Sequence, residues 1–171
     1  MANKMMSPAE TIWWVPAGTV GFDRDAIKAS LLTESLNISC AIVSGYTLNP
    51  TDSDTDDTTS ICNGSNSAEP TFYNYEANLT FFREETGTNA DNTSAYSRAY
   101  EFFKHVDADG YLVRRVGKKF DAPAAAGDEV DVFYVQSDYP QDVVSDSGGP
   151  IQMTVPFLPQ GFMDINATLV A

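Results

Sequence analysis

Basic residues are scarce in this sequence and, over much of its length, missing. Only 10 Lys and Arg stand against 24 Asp and Glu in 171 residues, a formal net charge of −14. Such a chain lacks the clustered cations that grip nucleic-acid phosphates by displacing counterions. It is equally unsuited to adsorbing on an anionic membrane. Histidine is nearly absent: His105 stands alone, just past a predicted helix, where an imidazolium commonly answers the helix dipole. The two cysteines, Cys40 and Cys62, lack C-x-x-C spacing, so neither a redox dithiol nor a zinc site is written here. The expectation is two reduced, buried thiols, with a Cys40–Cys62 disulfide as the alternative. No apolar run approaches the ~18–20 residues of a membrane-spanning helix. The opening MANKMMSPAE has no apolar stretch of the secretory-signal kind. A soluble chain made in a cytoplasm is expected. In that setting the Asn-X-Ser/Thr triplets at Asn37, Asn63, Asn78, Asn92 and Asn166 read as strand and loop composition, not as glycan acceptors.

Catalytic signatures are missing too. There is no Gly-x-Ser-x-Gly, no phosphate-cradling Gly-x-x-x-x-Gly-Lys and no His-Glu-x-x-His. Among 24 acids no pair of carboxylates singles itself out for acid–base work. No enzyme and no cofactor is expected, with a carboxylate-pair hydrolase, which requires detectable turnover, as the alternative.

What is present suffices for one domain spanning residues 1–171. Hydrophobic residues make up 43% and aromatics 12%, enough for a core. The charge is segregated. Residues 29–82 carry seven acids and no base, and residues 120–171 carry eight acids and no base. Residues 83–119 hold seven of the ten bases. This pattern points to surfaces that meet different partners, although a generally acidic surface gives the same sum.

The hydropathy pattern is mostly that of strands. Thr11–Val15 is a bulky run ended by Pro16 and Gly18. A short helical turn is expected near Ala26–Leu32. Leu36, Ile38, Cys40, Ile42, Ser44 and Tyr46 alternate with smaller or polar residues, which predicts one strand with a buried face. Residues 48–70 are rich in Asp, Thr, Ser and Asn and predict a long loop, well beyond the usual ~4–6 residues, of the kind that has a job. Ile61 and Cys62 are its candidates for docking back on the body. Phe72–Glu84 is the clearest strand, with Tyr73, Tyr75, Ala77, Leu79 and Phe81 on an apolar face and Asn74, Glu76, Asn78 and Thr80 on a polar one. A helix follows over residues 93–105, capped by Asp91 or Asn92. Its stripe is Tyr96, Ala99, Tyr100 and Phe103, with Arg98, Glu101 and Lys104 facing away. After a turn at Asp107–Gly110, strands are expected at Tyr111–Val116, Glu129–Ser137, Ile151–Leu158 and Phe162–Val170. The fold class is mainly β, a sandwich or barrel with one packed helix and a long inter-strand loop.

One cation site offers itself weakly. Asp52, Asp54 and Asp56 alternate as calcium ligands do, but Asp57 stands where a helix-loop-helix site wants Gly, and Asn63 where it wants an acid. The simpler reading is a solvated acidic loop. Aromatics such as Trp13, Trp14 and Tyr100 sit at core spacing. A carbohydrate-binding β-sandwich used as a decoration module is the alternative they leave open.

In order along the chain, Trp13-Trp14-Val15-Pro16, the stretch ending Gly45-Tyr46, the acidic Asp52–Cys62 segment, the Phe72–Arg83 strand and the helix of residues 93–105 resemble the major tail tube proteins of long-tailed bacteriophages, especially those of actinobacteria. Gly110-Tyr111-Leu112-Val113-Arg114-Arg115, Gly127-Asp128-Glu129-Val130-Asp131-Val132 and the closing strands continue the likeness over nearly the whole chain. The resemblance implies a virion protein with no catalytic residues, made in the host bacterial cytoplasm. Such proteins form hexameric rings that stack into a hollow tube and conduct the viral genome into the host. Tape measure, terminator and distal tail proteins are the further partners it implies, and DNA passes without specific binding. An inner-tube subunit of a contractile tail or injection machine shares this architecture.

On that resemblance Asn74, Glu76, Asn78 and Thr80 are expected to face the lumen. The loop of residues 48–70, with Asn49, Asp52, Asp54, Asp56, Asp57 and Ile61, is expected to contact other subunits, together with a flexible segment at residues 1–10. Arg114, Arg115, Lys118 and Lys119 are the candidate basic patch for an acidic neighbour, or else ordinary solvated charge.

Overall fold

A computed structural model of the chain describes residues 9–84, 94–144 and 146–171. Among these, eight strands form one antiparallel sheet. They are β1 (Glu10–Pro16), β2 (Leu36–Asn37), β3 (Thr47–Asp57), β4 (Ala68–Phe82), β5 (Asp109–Val116), β6 (Glu129–Ser137), β7 (Gln141–Val143) and β8 (Gln152–Thr168). The order is β2-β1-β5-β6-β8-β4-β3, with β7 paired to β8. Two α-helices, α1 (Ala29–Glu34) and α2 (Ala95–Phe103), pack on it. The fold is mainly β, as the strand periodicities predict.

β8 belongs to both halves of the sheet. Gln152–Phe157 pair with Phe82–Ala77 of β4, whereas Phe157–Thr168 pair with Ser137–Glu129 of β6. The two expected closing strands are thus one strand, carried through Gly161 at φ 75°, a conformation that glycine adopts without steric cost. From Ala77 towards its start, β4 keeps only β3 as a ladder partner.

The main core lies between the halves. It includes Trp14, Leu48, Tyr75, Leu79, Phe81, Phe103, Leu112, Phe133 and Phe157. Phe103 of α2 meets Trp14 edge-on at 4.9 Å and stacks on Phe81 at 5.2 Å. The helix is capped by Ser94, whose Oγ accepts from the Ser97 N–H; Asp91 and Asn92 lie outside the described residues. A second cluster on the other side of β1, β5 and β6 joins Trp13, Val15, Val113 and Val132 to Ile27 and Leu32 of the α1 region and to Leu169. Burial on both faces explains why Thr11–Val15 reads as an unbroken run rather than an alternation.

Three expectations need correction. The alternation from Leu36 to Tyr46 is not one strand: two residues of β2 lead into a 3₁₀ turn at Ser39–Ala41. Asn37 Oδ1 accepts from the N–H and hydroxyl of Ser39, and Ser39 Oγ accepts from the Ile12 N–H at 2.8 Å. Side chains thereby take up backbone groups that a ladder would have used. Second, residues 48–70 are not a loop but most of β3 and the start of β4, an antiparallel hairpin whose connection is residues 58–67. Third, Cys40 and Cys62 are free and exposed, not buried.

Candidate assembly surfaces

Two surfaces stand out, a polar sheet face and a projecting hairpin. The register places Thr47, Asn78 and Pro156 side by side, then Asn49 with Glu76, then Thr80 with Thr154 and Gln141. Directly opposed residues share a face, and the reverse face here is the core of Leu48, Tyr75, Ala77, Leu79, Met153 and Val155. Asn49, Glu76, Asn78 and Gln141 are exposed, while Asn74, Thr80 and Thr154 are partly so. Thr80 and Thr154 share a hydroxyl hydrogen bond of 2.9 Å. Among the paired residues just named, Glu76 carries the sole charge.

The hairpin formed by residues 49–74 is an arm. At ~3.3 Å per residue, Pro50–Asp57 extends it by roughly 25 Å. Not one residue from 49 to 74 is buried. The arm has no Lys or Arg but carries Asp52, Asp54, Asp56, Asp57 and Glu69. It nevertheless displays Ile61, Phe72 and Tyr73, at 105%, 70% and 72% exposure. Ile61 and Cys62 therefore do not dock back on the body, and Tyr73 leaves the apolar face predicted for it because the core ends at Tyr75. The acids are internally employed in part: Asn74 Nδ2 donates to the Asp54 carboxylate and the Asp52 carbonyl, each at 3.2 Å. Asp57 Oδ1 accepts from the Thr59 N–H, and bonds to Thr59 hold this carboxyl below its ordinary pKa. Among the described residues no three His, Cys, Asp or Glu side chains are grouped as a cation site.

The four bases of the predicted patch part company. Arg115 is 1% exposed. Its guanidinium donates to Asp128 Oδ2 at 2.9 Å, Thr11 Oγ1 at 3.1 Å and the carbonyls of Ala122 and Pro123 at 2.6 and 3.0 Å. It thus clasps the connection between β5 and β6 from within and offers nothing to a neighbour. Lys118 pairs with the same Asp128 at 2.5 Å. Burial pushes the Asp128 carboxyl up, but the bonds from Lys118, Arg115 and the Ala125 N–H leave it below its ordinary value. Lys118 and Lys119 remain on the surface.

Arg114 reaches across the fold. Its Nη2 pairs with Asp131 at 2.8 Å, while Nη1 donates to the Leu48 carbonyl at 2.6 Å and to Asn49 Oδ1 at 3.0 Å. Nearby, Tyr46 donates to Glu10 at 2.5 Å. Burial and Glu10 raise this phenol to about 12, against the pull of Arg114. Glu10, Tyr46 and Asp131 carry no spacing signal, since Tyr46 and Glu10 lie 36 residues apart in sequence. His105 is exposed, and its carbonyl accepts from Ser137 Oγ at 3.4 Å.

The family model described as "Phage tail tube protein" matches residues 1–171, and the chain belongs to that family, a structural component of the virion tail. No curated protein matches the chain.

Proposed function

We propose that copies of this tail tube family member close into hexameric rings that stack into the hollow tube of a non-contractile tail, through which the genome enters the host. The observation that carries the reading is the polar sheet face: wet, rich in amides and hydroxyls, free of cations and backed by a core. A wall lined by Asn74, Glu76, Asn78 and Thr80, joined by Asn49 and Thr154, offers phosphates no cationic side chain to pair with. Lys or Arg there would exchange with counterions and grip the passing polyanion. The single carboxylate of Glu76, repeated around a ring, adds mild repulsion.

The arm is the contact element in this reading. A neighbouring copy covers Phe72, Tyr73 and Ile61, and head-to-tail contacts of this kind extend a ring into a filament. The outer edge of β3 has no partner strand among the described residues and is the natural seam between copies within a ring. Tape measure, terminator and distal tail proteins then meet the lumen and the two tube ends.

Electron microscopy of concentrated purified protein tests the assembly. Rings and tubes with a central channel are expected, and a particle that stays monomeric at every concentration refutes it. Glu76→Lys tests the wall: tubes should form normally, while genome delivery slows. Unchanged infection kinetics removes Glu76 from the lumen.

A further inference from the structure

No sheet ladder among the described residues holds the arm to the body, because β8 leaves β4 at the Ala77–Phe157 pair, before the arm begins. Side chains make the remaining fixings at its root. On the β4 side the Tyr75 hydroxyl donates to the Tyr134 carbonyl and accepts from the Gln160 N–H. On the β3 side the fixing is Arg114. We infer that Arg114 is a positioning residue, which sets the direction in which the arm leaves the body and so presents it to the next copy.

The site is built for this from an irregularity in β8. Between the pairs Val130↔Ala167 and Val132↔Asp164 the register shifts, so two β8 residues, Ile165 and Asn166, stand opposite the single Asp131. Such bulges re-aim groups. Asn166 within it takes φ 61°, which Asn tolerates better than most residues. Its N–H donates to Asp131 Oδ1 at 3.1 Å, leaving Oδ2 to accept from Arg114 Nη2 at 2.8 Å. The guanidinium lies over the Phe133 ring, 5.8 Å from its centroid; its Nε also donates to Asp131 Oδ2, at 3.2 Å, and its Nη1 to the Leu48 carbonyl and Asn49 Oδ1. A chain of contacts thus runs from the β8 bulge through Asp131 and Arg114 to the first residues of the arm. With Arg114 and Asp131 only 12% and 13% exposed, the pair is poorly screened by salt. A planar fork can span both partners at once, whereas a lysine ammonium cannot.

The inference rests on the arm's being an assembly element. The exposed thiols Cys40 on the body and Cys62 on the arm supply a native pair for nitroxide labels, so arm direction is read as a spin–spin distance distribution in the dilute subunit. Wild type is expected to give one narrow distribution. Arg114→Lys and the near-isosteric Asp131→Asn should broaden it at unchanged circular dichroism, and should raise the critical concentration for tube growth about tenfold, the scale of losing one charge-assisted hydrogen bond. An unchanged distribution in a folded Asp131→Asn protein overturns the positioning role. A broadened distribution with normal tube growth overturns its link to assembly. The arm's own role fails separately, if a chain without the arm still forms tubes.

Discussion

Replacing residues 51–74 by Asn-Gly tests the arm with little disturbance to the subunit. Pro50 and Tyr75 are opposed in register, so a two-residue type I′ link between them continues both strands in their present pairing. Tyr75 is retained because it is buried and bonded to the body. No deleted residue is buried, so the apolar transfer loss is close to zero. The bonds of Asn74 to Asp52 and Asp54 vanish together with both partners, leaving no orphaned group. Closing a two-residue rather than a long connection returns some chain entropy, at about 0.6 kcal/mol per halving of length for a flexible loop. Ordered hairpin structure is lost at the same time, so the net change should stay within about 1 kcal/mol, or about 4 °C in Tm for a chain of this size. Melting curves should therefore nearly coincide, while sedimentation and microscopy find no tubes. A truncated chain that unfolds would refute the claim that the arm is separate from the core. One that grows tubes of normal length would refute its role in stacking.

Other perturbations probe the body. A Cβ on Gly110 meets the Val15 carbonyl at 2.5 Å and two Trp14 ring carbons at 2.9 Å, so Gly110→Ala should cost about 1–3 kcal/mol; an unchanged guanidinium midpoint would contradict this. Asp128→Asn strips the buried Arg115 of its carboxylate and should cost about 3–5 kcal/mol at neutral pH. Because the Asp128 carboxyl is lowered from 3.8, its contribution is complete above that ordinary value and disappears as pH falls through the depressed one, so the variant's loss should shrink on the acid limb of a stability–pH curve. Tyr46, raised from 10.0 to about 12, stabilises fully below pH 10.0 and loses its contribution as pH climbs through about 12. Ultraviolet titration of the phenolates should show that late component in wild type and lose it in Tyr46→Phe.

Legibility in the sequence followed the contrast between a residue's two sides. β4 reads clearly from Tyr75 to Phe82 because one side meets core and the other water, and the same contrast marks the exposed polar residues Glu76 and Asn78. α2 is visible from Ala99 and Phe103, which carry its packing. The arm leaves no such mark: with both sides wet, Thr51–Asp57 has no apolar period, and its Asp-Thr-Ser composition matches a loop. Leu36–Tyr46 fails for the opposite reason, since its alternation is real but Asn37 and Ser39 divert the backbone into a turn. Arg114 and Arg115 look alike in sequence, yet their alternate directions on β5 send one to the arm root and the other into the second core. Nothing local distinguishes them, because their partners lie on β1, β3, β6 and the connection from β5.

The sheet is jacketed on both sides over β1, β5 and β6 but on one side over β3, β4 and the first third of β8. An uncovered face of amides and hydroxyls costs little in water, so the subunit has no apolar reason to associate through it. If copies associate as proposed, the specification lies elsewhere, and the arm carries groups of both signs, attractive and repulsive, for it. Its aromatics Phe72 and Tyr73 gain by being covered, while five carboxylates and no cation oppose the pairing of one arm with another. Edge strands that carry charge and proline, as β3 does with Pro50 and its aspartates, resist indiscriminate pairing. Attraction that is apolar and repulsion that is acidic can both be satisfied only on a receiving surface other than a second arm. That requirement favours head-to-tail growth over side-by-side aggregation.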